Sequence, residues 1–343
     1  MFGSYRYLLA HMVLLSHFWQ ELALWPGPYA VFSFFLLSGF LMAQVLADTY
    51  EPGVEGSVRF LANRALRIYP PYWCVIALSL ATTAWIPQAA RQTNIVMRWP
   101  DSWTGWLHNL FIFGLNGDTA RLVPPAWSLD IELVFYVFMG VGLVRSRMFV
   151  SVWLAAGLVV TAHAWASGFE FPERYATVLG GSLPFALGAM IQQHRQRLAE
   201  LARGPVHAGL AVALYVGNAA AAKVVYRDEF GIGFYLSLLL TAYVVVALIQ
   251  VERRDVPGWA ARLDRILGDL SYPVFLCHFP IAAWAIHFGL AGAPGPQRFV
   301  VCAIGSSLFA WLVHVALERP VNGLRDRIRG RARRSGQGIA RAA

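Results

Sequence analysis

The chain has 343 residues, 57% of them hydrophobic and only 14% charged, against roughly 25% charged in an ordinary soluble domain. Apolar runs of about 20 residues, the length a helix needs to cross a bilayer, recur from one end to the other. The net charge of +9 is spread over short loops and the terminal stretch RDRIRGRARRSGQGIARAA, which fits membrane orientation and anionic lipid and excludes a nucleic-acid partner from the reading. The expected fold is therefore an all-α membrane protein, a polytopic bundle of about ten transmembrane helices.

The first run, about residues 5–24, has no small-residue cleavage site and is followed at once by a second, so it reads as a retained span rather than a signal peptide. It carries Arg6, His11, His17 and Glu21. Ionisable groups inside a bilayer cost several kcal/mol and point to function by default. Arg6 and His17 are eleven residues apart, close to three whole turns, so they share a helix face about 16 Å apart along the axis. Glu21 stands one turn beyond His17, where it can orient the imidazole. His11 lies on another face and reads as structural.

The second run, about 28–47, contains FFLLSGFLM, which places Ser38 and Gly39 near mid-membrane. Glycine there admits either a neighbouring helix or a thin ligand. A basic segment with Arg64 and Arg67 follows. Three residues apart, these are neighbours on a helix face, and two guanidinium groups suit phosphate, although loop arginines also mark the cytoplasmic side. The motif IYPPYW is expected to start the third span, about 70–87, since proline is tolerated in a first helical turn.

Residues 88–124 form the longest connection, a Trp-rich segment expected as an outer loop with a re-entrant or interfacial helix. LVPPAWS then opens a fourth span, about 125–144. If that span starts at the outer surface, Glu132 lies about 10 Å below it, near the depth of His17, where it can pair with the histidine. Asp130 lies nearer the surface on a different face. Further spans are expected at about 148–167, 177–193, 206–222, 232–251, 270–290 and 298–317. The ninth holds SYPVFLCHFPI, with His278 as a candidate polar contact; Cys277 beside it points about 100° away and does not make a Cys–His pair.

With both termini cytoplasmic, Lys and Arg favour the inner segments by roughly three to one. Cys74, Cys277 and Cys302 all fall in apolar segments with no spacing that implies a disulfide framework or a metal site. HExxH, Walker, GxSxG and dinucleotide motifs are absent.

Taken together, the Arg6-to-His17 spacing, FSFFLLSGFLM, RFLANRALRIYPPYW, PPAWSLDIELVFY, LSYPVFLCHFPI and ALERPVN resemble, in order, the acyltransferase 3 family of membrane acyltransferases. The resemblance covers roughly residues 1–320. It implies one transmembrane domain, 1–324, with a basic, disordered cytoplasmic tail, 325–343, in a stand-alone form without an appended esterase-like domain. It also implies a multi-pass protein of the inner membrane that moves an acyl group from cytoplasmic acyl-CoA, acetyl-CoA being the first choice, to a hydroxyl of a glycan, glycolipid or small acceptor. His17 would be the catalytic base or transient acyl carrier, with Arg6 its paired arginine and Arg64 and Arg67 the arginines linked to acyl-CoA. Ser38 and Gly39 match the SGF segment, Glu132 the glutamate after WSL, and His278 the late histidine. The familiar EEQFY-like continuation reads ELVFY here. No bound cofactor and no metal are expected; acyl-CoA is a co-substrate. The rival reading is a non-enzymatic carrier or flippase for a lipid-linked glycan, which would have no reason to bind acyl-CoA.

Overall fold

A computed structural model describes residues 1–20, 26–202, 205–226, 228, 230–252 and 256–339. Its helices are α1 (Phe2–Phe18), α2 (Pro26–Asp48), α3 (Val54–Trp85), α4 (Pro87–Thr93), α5 (Trp103–Phe111), α6 (Trp127–Gly140), α7 (Arg147–Ala166), α8 (Phe171–Tyr175), α9 (Val178–Gln193), α10 (Arg195–Leu201), α11 (Pro205–Val224), α12 (Ile232–Glu252), α13 (Gly258–His287), α14 (Pro296–Val313) and α15 (Arg319–Ile339). Among the described residues there is no strand, as expected where each backbone group must be satisfied within its own segment. The protein is an all-α membrane protein. Each of the ten apolar runs carries a helix, but among the described residues only five helices are long and apolar enough to cross a membrane alone, or up to seven if two bent pairs are each taken as one span.

The helices that matter for function are held in register by small residues and paired side chains. α1 and α2 are antiparallel: Gly27 packs on Ser16 at one end, and the Phe2 and Phe40 rings meet at 5.4 Å at the other. α13 runs parallel to α1. The backbone N–H groups of Gly3 and Ser4 donate to the Asp264 carboxylate at 3.2 and 2.8 Å, and Gly3 lies against the Asp264 and Gly268 backbone with no room for a side chain, the close approach that small residues permit between membrane helices. α3 lies alongside α13, tied by Arg67 to Asp269 at 2.9 Å and by Trp284 Nε1 to Thr82 Oγ1 at 3.0 Å.

Three boundaries differ from the sequence reading. α3 does not begin at IYPPYW: it is one helix from Val54 to Trp85 with Pro70 and Pro71 inside it. Each proline lacks the N–H that would bond four residues back, yet packing against α13 and α15 carries the helix through. Arg64 and Arg67 consequently sit on a packed helix rather than in a loop. The tail boundary at 325 falls inside α15, where Arg325 is buried and its carbonyl accepts from Asn63 at 3.0 Å.

The third difference concerns α6. Trp99 Nε1 donates to Thr83 near the far end of α3 at 2.8 Å, whereas the C-terminal carbonyls of α5 meet α3 far lower. The Asn109, Leu110 and Phe111 oxygens accept from Tyr72, Trp73 and Tyr69 at 2.5, 3.0 and 2.8 Å. Fourteen residues of α3 separate Thr83 from Tyr69, about 21 Å of axis. The segment is thus re-entrant, and it turns at Ile112 and Gly114, both at positive φ (73° and 79°). Because the following loop starts level with Tyr69–Trp73 of α3, the 14-residue α6 starts deep, and its carboxylates sit lower than a span beginning at the surface would put them.

Candidate active site

Between α1, α2, α3, α6 and α13 lies a cavity of about 120 Å³. It runs along α2 from Met42 to Val31, about 16 Å at the usual rise. Its two ends differ in chemistry. The lower end, level with Gly268, is lined by Arg6, Arg64, Arg67, Ser38, Glu132 and Tyr136. It shares Arg6 and Leu41 with a wider mouth of about 600 Å³ beside Met1, Asp264 and Arg265.

The three guanidinium groups are not equivalent. Arg67 is neutralised, with Nη1 2.9 Å from Asp269 and 3.6 Å from Glu318. Glu318 closes a single π-helical turn, His314–Glu318, in which His314 Nδ1 lies 3.1 Å from Glu318 and 3.8 Å from Asp269. Arg64 is buried yet meets only neutral acceptors among the described residues, Met42 Sδ and Asn63 Oδ1 at 3.3 Å each. Arg6 donates to the Gly268 carbonyl at 2.5 Å. Among the described residues, the buried Nε atoms of Arg6 and Arg64 have no hydrogen-bond partner. Glu132 accepts from the Ser38 and Tyr136 hydroxyls and lies within electrostatic reach of Arg6 and Arg64. Glu132 is the one carboxylate that lines the cavity with Arg6 and Arg64, while Asp269 and Glu318 stand on Arg67 outside its wall, and buried donors left short of partners are costly unless an anion completes them.

The upper end is apolar, walled by Val31, Phe34, Phe35, Leu129 and Phe275. Three residues beyond Phe275, about 4.5 Å along α13, stands His278, fully buried. Its Nδ1 is 2.7 Å from the Phe275 carbonyl. A carbonyl only accepts, so Nδ1 carries the proton and Nε2 keeps its lone pair; among the described residues, the buried Nε2 has no hydrogen-bond partner. His17 stacks on His278, with ring centroids 5.4 Å apart and planes at 14°, and meets Phe279 at 4.8 Å. Ala10, Val13 and Leu14, on the same side of α1 one and two turns below His17, are 0%, 3% and 0% exposed. That side of α1 therefore points into the bundle, while His17 itself is exposed. The cavity thus ends about one helical turn short of the imidazole.

Arg6, Ser38, Arg64, Arg67 and Glu132 meet in one cavity, and His17 meets His278. Three sequence expectations change, and a fourth falls on residues that are not described. Glu132 does not reach His17: the deep start of α6 sets it among the arginines. Asp130 is no surface group. It is buried and accepts from the backbone N–H groups of Gly114 and Asn116 at 3.2 and 3.0 Å, holding the re-entrant turn. Gly39 does not line the cavity; it lies against the Phe185 backbone of α9, where any side chain would collide, so it serves packing. Glu21 lies outside the described residues. Sequence reasoning missed Tyr136, although it follows Glu132 by one turn in ELVFY, and missed Phe34 and Phe275, whose aromatic character is lost among 22 phenylalanines.

A helical membrane protein with an arginine-lined cavity beneath a histidine pair has room and charge for an anionic ligand, and the comparisons supply the family. The family described as "Acyltransferase domain" matches residues 5–315, and the chain belongs to this acyltransferase 3 family of membrane-bound O-acyltransferases. It is 27% identical over 302 residues to the "Putative membrane-bound transacylase BcsY" of Komagataeibacter xylinus, covering 83% of this chain and 74% of that protein. It is 27% identical over 326 residues to the "Exopolysaccharide production protein ExoZ" of Rhizobium meliloti (strain 1021), covering 92% and 94%. The "O-acetyltransferase OatA" of Staphylococcus aureus (strain NCTC 8325 / PS 47) is 20% identical over 326 residues, covering 86% of this chain and 52% of that longer protein. No solved structure matches.

Proposed function

We propose that the protein transfers a short acyl group, acetyl in the simplest case, from cytoplasmic acyl-CoA to a sugar hydroxyl that reaches His17 from the opposite side of the membrane. The observation that carries this is the cavity that runs from Arg6, Arg64 and Arg67 to a point one turn below the His17–His278 pair and shares Arg6 and Leu41 with the wider mouth. The diphosphate of the donor pairs with Arg6 and Arg64 through charge-assisted hydrogen bonds. Its thin pantetheine arm lies along α2. His17 takes the proton of the acceptor hydroxyl, whose oxygen attacks the thioester carbonyl. The C–S bond breaks, and the proton passes from the imidazolium to the departing thiolate, so the histidine is regenerated. His278 positions His17 by stacking. Names such as ExoZ and OatA support a glycan as acceptor.

The test is mass spectrometry of cell-surface glycans from cells with the wild-type protein and with His17→Ala, alongside acetyl-CoA titration of both purified proteins. The acyl-sized mass difference should vanish in the variant while acetyl-CoA binding persists. An unchanged glycan acylation level would remove His17 from the chemistry, and a wild-type protein that binds no acyl-CoA would remove the donor.

A further inference from the structure

We propose that Phe34 and Phe275 set the length of the acyl chain that the protein transfers, admitting acetyl and rejecting chains a few methylenes longer; this rests on the acyl-CoA reading above. A donor whose diphosphate sits at the arginine-lined end points its acyl group at the opposite, apolar end. There the two rings, one from α2 and one from α13, face each other with centroids 5.9 Å apart and planes at 60°. They form the last layer before the histidines, since the Phe275 ring lies 6.3 Å from that of His278.

The layer has little room to give. The Phe275 carbonyl is bonded to His278 Nδ1 at 2.7 Å, so moving this part of α13 moves the ring stacked on His17. No side room is open along α1, where Ala10, Val13 and Leu14 are packed. An extra methylene at this end therefore meets a ring edge, and a close-packed interior resists such insertion. Neither ring offers a polar atom, so the layer discriminates by size alone. The two side chains are specificity determinants rather than parts of the proton-transfer machinery.

The experiment is calorimetric titration of the purified full-length protein in detergent with CoA, acetyl-CoA, butyryl-CoA and hexanoyl-CoA. Wild-type protein should bind acetyl-CoA at least about tenfold more tightly than hexanoyl-CoA, the scale on which a shaped apolar pocket discriminates chain length. Phe275→Ala should bring that ratio to one or invert it, and Phe34→Leu should shift it part of the way. Should Phe275→Ala not yield monodisperse protein, Phe275→Leu, which keeps an apolar side chain, reads the same ratio. A ratio measured within one preparation does not depend on how much of it is active. Equal affinity of the wild type for acetyl- and hexanoyl-CoA would overturn the assignment, as would variants with the wild-type ratio. If neither CoA nor any thioester binds the wild type, the donor reading itself fails, and this inference with it.

Discussion

The two ends of the cavity are built on opposite principles. At the lower end charges are concentrated and buried: three guanidiniums, Glu132, Asp269 and Glu318 lie within one region, and Arg67 is held by a network that includes the π-turn carboxylate. At the upper end two imidazoles lie among aromatic rings, one buried and one exposed. The difference teaches where binding and reaction are separated. On the proposed reading, an anionic donor would be captured by charge where it enters, and its thioester delivered to a site with little charge, where an imidazole can act as a base. Within the lower end the same logic divides Arg64 from Arg67. The first is left for a ligand, and the second is already spent on the protein's own carboxylates.

Substitutions can break this comparison, the largest effect first. His17→Ala should lower transfer by about 10²–10⁴-fold, the range for a positioned base, with the protein still folded in detergent; glycan mass spectrometry and size-exclusion chromatography read the two halves of that statement. Arg67→Ala strands two carboxylates, one of them buried, and should cost about 3–5 kcal/mol of stability, visible as a lower melting temperature before any activity is measured. Arg64→Ala, by contrast, strands no carboxylate. It should leave the melting temperature close to wild type and weaken acetyl-CoA binding by about 10–100-fold, the worth of a charge-assisted contact. If Arg64→Ala melts early while Arg67→Ala binds poorly but stays stable, the assignment of the two arginines is reversed. The smallest effect is expected at Asp130→Ala, which leaves the Gly114 and Asn116 N–H groups unpaired and should cost about 1–3 kcal/mol, with hydrogen exchange rising first in residues 112–118.

Much of this was legible before any coordinates. Apolar runs gave the helices because a bilayer leaves the backbone few alternatives. The eleven-residue interval from Arg6 to His17 gave their common face, and the three-position spacing of Arg64 and Arg67 gave their adjacency, since helical periodicity is a property of local spacing. What could not be read is set between elements. The depth of Glu132 depends on a re-entrant segment whose turn is fixed by Asp130 and whose carbonyls are capped by Tyr69, Tyr72 and Trp73 from another helix. The neutralisation of Arg67 depends on Glu318, some 250 positions along the chain. The role of Gly39 depends on where α9 crosses α2. A glycine, a carboxylate or an arginine in the sequence states a capacity; the neighbour that uses it arrives from far away in the chain.

The account's central claim is one continuous path from the basic mouth to His17, and the most direct measurement is a structure of the protein in a lipid disc with a non-hydrolysable thioether analogue of acetyl-CoA. The expected result is the diphosphate against Arg6 and Arg64, the arm along α2 between Ser38 and Val31, and the acyl end of the analogue against the Phe34 and Phe275 rings, beneath His17 and His278. An analogue bound outside this cavity, or bound with its sulfur still at the level of Glu132 and the rings above it closed, would contradict it.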